Sequence, residues 1–420
     1  MTEQTNLIPT RRFKEFQNTH AWEDHHFFDT IKNTIDFRGR TPKKLGLDWS
    51  ETGYLALSAL NVKNGYIDPS ADAHYGNQEL YDKWMTGREL RKGQVLFTTE
   101  APMGNVAQVP DDNGYILSQR TIAFDVNPEK ITDDFLAVLL SSPKTFAKLS
   151  ALSSGGTAKG VSQKSMSQLK VTLPTNLEEQ AKIGSFFMNL DHRITLHQRK
   201  LEKLKLLKSA YLSEMFPAEG ECKPKRRFAG FTQSWEQRKI GELADIVRGA
   251  SPRPIQDSKW FDDKSDVGWL RIADVTEQNG RIYFLKQRLS TAGQEKTRVL
   301  TKPHLLLSIA ATVGKPVVNY VKTGVHDGFL IFQDPVFYRE FLFQWLEMFR
   351  PQWQKYGQPG SQVNLNSDLV KNQEIRLPSK DEQKKIGDFF AQLDHLIAIH
   401  QRKLEKLQSM KKAYLTEMFV

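Results

Sequence analysis

Two stretches of the chain repeat one spacing of apolar and polar positions. In the first, apolar or large side chains fall at Ile183, Phe187, Leu190, Ile194, His197, Leu201, Leu204, Lys208, Tyr211 and Met215; in the second, at Ile386, Phe390, Leu393, Ile397, His400, Leu404, Leu407, Lys411, Tyr414 and Met418. The steps alternate four and three, the seam of a coiled coil. Residues 179–216 and 382–419 align without a gap at an offset of 203, with 26 of 38 positions identical. At 1.5 Å per residue each helix reaches about 55 Å. A lone helix of that length leaves its apolar stripe in water, so the two copies are expected to pack on each other. Antiparallel pairing would relate the halves by a pseudo-two-fold axis, with Ile183, Phe187, Leu190, Ile194, Leu201 and Leu204 facing Ile386, Phe390, Leu393, Ile397, Leu404 and Leu407.

Upstream of each helix the likeness is thinner but keeps its order. Arg11-Arg12-Phe13 and Trp22 match Arg226-Arg227-Phe228 and Trp235, and Arg38-Gly39-x-x-Pro42 matches Arg248-Gly249-x-x-Pro252. The chain therefore reads as block, helix, block, helix, an internal duplication. The expected boundaries are block one at 1–175, helix one at 176–217, block two at 218–378 with a linker at 218–225, and helix two at 379–420. Within the blocks, Gln94 to Thr99 and Thr121 to Val126 read as short strands between turn residues. Thr132-Asp133-Asp134 reads as a helix start, with Asp334-Pro335 as its counterpart. Each block ends in a Gly-rich loop, Ser153 to Gly160 and Gly357 to Gly360, before a short strand.

Charge adds a partner. The chain has 420 residues, with 59 Lys plus Arg against 49 Asp plus Glu, for a formal charge of +10. Such a surface favours polyanions. Its most apolar run, Leu305 to Thr312, is far below the roughly 18 residues needed to cross a bilayer, so no membrane partner is expected. The opening residues carry no secretory pattern, and a cytoplasmic location is expected. One cysteine, Cys222, can form neither an internal disulfide nor a cysteine-rich zinc site.

The search for chemistry returns absences. There is no HExxH pair, no GxxxxGK[ST] phosphate loop and no GxSxG elbow, and the lack of any Pro-Pro rules out an Asp/Asn-Pro-Pro-aromatic amine-methylation loop. Glu382-x-Lys384 has the spacing of a nuclease half-site, but it opens a helix, where acids are favoured by the dipole. His192/His197 and His395/His400 read as core or seam residues rather than metal ligands. The remaining candidates are side chains that hold phosphates or base edges: Arg38, Arg40, Lys43 and Lys44 at one Gly/Pro turn, Arg248 and Arg253 at the other, and Lys159, Lys164, Gln362, Asn364 and Asn366 in or after the Gly-rich loops.

Over nearly its whole length this arrangement resembles the specificity subunits of type I restriction-modification enzymes. The most specific element is the phrase EEQ or DEQ, then x-K-I-G-x-F-F-x-x-L-D, followed by H-Q-R-K-L-E-K-L. The resemblance implies an α/β (α+β) two-domain fold, with two globular target-recognition domains separated by a long antiparallel two-helix coiled coil. It implies a bipartite, asymmetric double-stranded DNA target, one half read per domain, with a spacer set by the helices. It further implies a single copy in a complex with two methyltransferase subunits, which methylate adenine N6 using S-adenosylmethionine, and with motor/nuclease subunits using ATP and magnesium. No cofactor, metal or catalytic residue is then expected on this chain. The competing reading from the residues alone is a coiled-coil structural linker whose end domains bind protein.

Overall fold

The computed structural model describes residues 7–154, 159–356 and 365–420. The chain divides into two compact units, Met1–Arg199 with Arg402–Val420, and Lys200–Gln401. Unit one is made of two separate pieces of sequence, and unit two is one continuous piece. Each contains a whole block and parts of both long helices.

In unit one, strands β1 (Glu23–His26), β2 (Ile31–Asp36), β3 (Val95–Thr98), β4 (Val106–Gln108) and β5 (Thr121–Val126) precede helices α1 (Asp133–Ser141) and α2 (Pro143–Leu152), strand β6 (Lys170–Leu173) and the long helix α3 (Leu177–Glu214). The central sheet has the order β2-β5-β3-β4, antiparallel throughout, and β1 pairs with β6. Helix α1 starts as its sequence indicates, with the Thr132 hydroxyl accepting from the Phe135 amide, a side-chain cap on a terminus that otherwise lacks acceptors.

Unit two repeats the plan with β7 (Glu236–Lys239), β8 (Asp245–Arg248), β9 (Arg281–Ile282), β10 (Leu305–Ser308), β11 (Pro316–Asn319), β12 (Phe329–Gln333), helices α4 (Arg339–Phe349) and α5 (Ser367–Asn372), β13 (Glu374–Leu377) and the long helix α6 (Lys380–Glu417). Its sheet order is β8-β12-β10-β11-β9, and β7 pairs with β13. The helix expected at Asp334-Pro335 begins only at Arg339. Asp334 turns with φ +44°, the Val336 amide is tied to the Leu243 carbonyl, and the Tyr338 amide donates to the Gln383 side chain. A backbone carbonyl and a side-chain amide outside the segment thus hold its amides, and the helix starts only after Tyr338.

The long helices pack antiparallel within each unit. In unit one Phe186 meets Tyr414 with ring centres 5.2 Å apart and Lys411 pairs with Asp191 at 2.6 Å; in unit two Tyr211 meets Phe389 at 5.2 Å and Lys208 pairs with Asp394 at 2.6 Å. These contacts are the same with the helices' roles exchanged. Among the seam positions, Ile183, Phe187, Leu190, Ile194, Leu201, Ile386, Phe390, Leu393 and Leu404 are buried, while Leu204, Ile397 and Leu407 are half-buried. His192 and His395 are exposed, against the expectation of core or seam placement, and His197 and His400 are half-buried. A five-residue step is about 500° of helical rotation, so each pair cannot share one buried face.

The helix ends complete the block cores. Phe419 packs edge-on to Trp22 and lies 5.7 Å from Phe135, in a cluster with Phe187. Phe216 does the same with Trp235, Phe341 and Phe390. Each core is therefore closed by the helix that follows the other block in sequence.

The repeated Arg-Arg-Phe motif and the Glu-Gln pair opening each long helix form the joint. Arg12 grips both oxygens of Glu179 at 2.6 Å, and Arg227 grips Glu382 at 2.6 and 2.7 Å. Arg11 reaches Glu417 and Arg226 reaches Glu214, each at 2.5 Å. One motif so clips the start of one helix and the end of the other. The neighbouring Gln180 accepts from the Thr132 amide and donates to the Pro174 carbonyl, and Gln383 accepts from the Tyr338 amide and donates to the Pro378 carbonyl. Backbone groups at the block edge that would otherwise be buried unpaired gain partners this way.

Candidate nucleic-acid interface

The basic side chains picked from the sequence are carried on turns at the ends of the two central sheets. After β2 the chain turns through Gly39, φ +81°, into a 3-10 turn at Pro42–Leu45 capped by the Thr41 hydroxyl. The equivalent Gly249 is required for a different reason: a Cβ there would lie 2.2 Å from the His326 carbonyl oxygen. A left-handed turn in one block and a close backbone approach in the other both select glycine.

In unit one the turn borders a cleft of about 550 Å³ that Arg40, Lys43, Trp49, His74, Gln119 and Arg120 help to line. Arg40 lies over the Phe37 ring at 4.4 Å and donates to the Trp84 carbonyl, and Gln119 donates to the Arg40 carbonyl at 2.6 Å. Arg40 is a wall of the cleft. Lys44 is tied back to the Gly39 carbonyl at 2.7 Å, and the half-exposed Arg38 pairs with Asp36 at 3.2 Å. Lys43 is exposed, and its side chain makes no hydrogen bond or ion pair among the described residues. Trp49 and His74 meet edge to face at 5.4 Å. Lys159 donates to Ser150, beside Gly160, whose backbone bridges to Glu100; Lys164 is exposed on a short helix, Gln163–Met166.

In unit two the arginines gather around one residue, Asp327. Arg253 pairs with Asp327 at 2.6 Å, Ser251 donates to the same carboxylate at 2.9 Å, and Arg248 donates to the Asp327 carbonyl at 2.6 Å. Arg298 joins them through the Arg248 carbonyl. Burial alone would push the Asp327 carboxyl up, but the Ser251 hydroxyl and then His326 and Arg253 hold it below its ordinary value. Burial pushes His326 down, and the nearby arginines add to that against Asp327, so the ring is neutral near pH 7 and stands edge-on to Trp269 at 5.7 Å. The cluster keeps its net positive charge. Asn366 caps α5 through the Leu369 amide, and Gln362 and Asn364 lie outside the described residues.

The nuclease-like spacing does not assemble a site. Glu382 is buried against Arg227, while Lys384 is exposed and pairs with Asp388. Sequence reasoning missed Trp49, His74, Arg120, Arg298, His326 and Asp327. Only the fold brings these beside the Gly/Pro turns, and no local spacing marks them.

The picture is thus one framework used twice, with a different arginine-rich surface on each copy. The family model for the type I restriction modification DNA specificity domain matches the chain twice, over residues 31–206 and 232–409. The chain belongs to the type I restriction-modification specificity family. Among curated relatives, it is 23% identical over 318 residues to the type I restriction enzyme MjaVIII specificity subunit of Methanocaldococcus jannaschii, covering 71% of this chain and 72% of that one. It is 25% identical over 173 residues to the HindI specificity subunit of Haemophilus influenzae, covering 40% of this chain and 37% of that one. In fold it is similar to the crystal structure of a type I system S subunit from M. genitalium, with a TM-score of 0.68, 14% identity and coverage of 98% and 99%. As a specificity subunit, the chain has the two-domain α/β architecture with paired long helices, and it carries the DNA specificity domain once per unit.

Proposed function

We infer that each unit reads one half of a bipartite, asymmetric DNA target, through the turn after the first strand of its central sheet. The observation that carries this reading is the pairing of a nearly identical helix joint with divergent basic surfaces: Arg40, Lys43 and Arg120 around an open cleft in one unit, Arg248, Arg253 and Arg298 around Asp327 in the other. Arginine and lysine at such tips hold phosphates and present donors to base edges. In this reading the chain is the non-catalytic, single-copy reader of a cytoplasmic complex. Two methyltransferase subunits with S-adenosylmethionine and motor/nuclease subunits with ATP and magnesium supply the chemistry. Family membership supports such a complex.

Binding of the full chain to a randomised duplex pool tests the reading. The expected selection is a motif of two short defined segments flanking an undefined spacer, with affinity falling at least about tenfold between 50 and 200 mM salt, as release of counterions from several phosphates requires. A flat salt response and an unenriched pool would overturn it.

A further inference from the structure

Arg120 stands immediately before β5 with φ +65°, in the left-handed region that a long side chain rarely occupies. The equivalent position in the other unit is a glycine. The Thr99 amide donates to the Arg120 carbonyl at 2.8 Å, and the Ile309 amide, at the matching place after β10, donates to the Gly328 carbonyl at 2.9 Å. Gly328 does not share the positive φ, so the left-handed turn belongs to block one alone; glycine or asparagine would make it without strain. Block one carries an arginine there instead.

The fold gains little from that side chain. It is half exposed, and its ion pair with Glu100, at 3.0 Å, is exposed on both sides. A strained residue whose side chain does not support its own fold points to a function for that side chain. The guanidinium lies on the border of the cleft that also holds Trp49, His74 and Gln119. The exposed Lys43 lines the same cleft.

We propose that Arg120 is a specificity-determining residue of block one, donating from its guanidinium fork to the major-groove edge of a guanine in one half of the target. This rests on the DNA-reading function above. A fork of paired N–H donors matches the O6 and N7 acceptors of guanine, whereas a lysine offers only a point charge. Unit two, with Gly328 at this place, makes no such contact and reads its half with other groups.

The test is selection from a randomised duplex pool by the full chain in three forms: unaltered, Arg120→Asn, which suits the left-handed backbone, and Arg120→Lys, which keeps the charge. The unaltered chain is expected to select both segments of a bipartite motif. Both variants should lose the preference for guanine at the same single base pair, by about 5- to 150-fold, and leave the other segment unchanged. The Arg120→Asn chain should melt no lower than the unaltered one. If Arg120→Lys keeps the motif intact while Arg120→Asn weakens all duplexes evenly, Arg120 is a phosphate contact and the proposal is wrong. The proposal also fails if both variants select the unaltered motif. A failure of the unaltered chain to select any motif would overturn the DNA reading itself, and this assignment with it.

Discussion

The joints between blocks and helices have been kept, and the tips of the blocks have not. At the joints, Arg12 with Glu179 and Arg227 with Glu382 match to within 0.1 Å, and the Phe419 and Phe216 clusters use the same aromatic partners. At the tips, one unit has an open cleft with a strained arginine, and the other has arginines gathered around a half-buried aspartate. Both joints must grip the same two helices, so a change in one copy is paid for in packing. On the proposed reading, a tip meets only its own half of the target and is free to change. Identity between the copies therefore marks assembly, and divergence marks recognition.

The largest expected effects follow from the crossed cores. Phe419→Ala should destabilise unit one, and Phe216→Ala unit two, each by about 3–5 kcal/mol, the range for removing a buried phenylalanine. Amide hydrogen exchange should show protection lost in block one for the C-terminal variant and in block two for the mid-chain variant. Loss in the block adjacent in sequence would break the account of crossed closure. Glu179→Ala and Glu382→Ala should each cost about 3–5 kcal/mol in thermal or chemical unfolding, because a buried arginine is left without its carboxylate.

A smaller effect sharpens the comparison where the joints themselves differ. Asp191 and Asp394 occupy equivalent positions, and each meets a lysine of the opposite helix at 2.6 Å. Burial pushes Asp191 above the ordinary aspartate value despite Lys411. Burial acts on Asp394 in the same sense, but Lys208 and then Arg281, a second cation at 3.0 Å, hold it below that value. A depressed carboxyl stabilises the fold above its unfolded pKa and loses that contribution as pH falls through its folded pKa. A raised one stabilises the fold while protonated, below its unfolded pKa, and loses that contribution as pH rises through its folded pKa. Acidification should thus weaken unit two through Asp394 and favour unit one through Asp191. Asp394→Asn should remove part of the acid sensitivity of unit two alone in a pH series of unfolding midpoints; equal shifts in both units would contradict this. Least of all, Arg11→Ala and Arg226→Ala should leave the unfolding midpoints nearly unchanged, since both arginines are exposed and screened by solvent.

The long helices were legible because a 3-4 repeat of apolar residues is a local signal that survives in any context. Strand β5 was legible to the residue, and α1 through its Thr132 cap, for the same reason. The role of Arg-Arg-Phe was not, although its repetition was plain: Arg12 and Glu179 are 167 residues apart, and only the fold shows that they meet. Asp334-Pro335 misled because a local helix-start signal lost to amide bonds made to the Leu243 carbonyl and the Gln383 side chain. Half of the candidate interface was visible as Gly/Pro turns carrying arginine. Arg120 was hidden, since a backbone dihedral leaves no mark in a composition or a spacing.

Exchanging the tip of block one, from β2 through β6, for that of another specificity subunit tests the central claim most directly. Arg11, Arg12, both long helices and block two would be retained, and the motif selected from random duplexes compared before and after. The account predicts a new sequence in one segment, with the other segment and the spacer length unchanged. A change in both segments, or in neither, would contradict it.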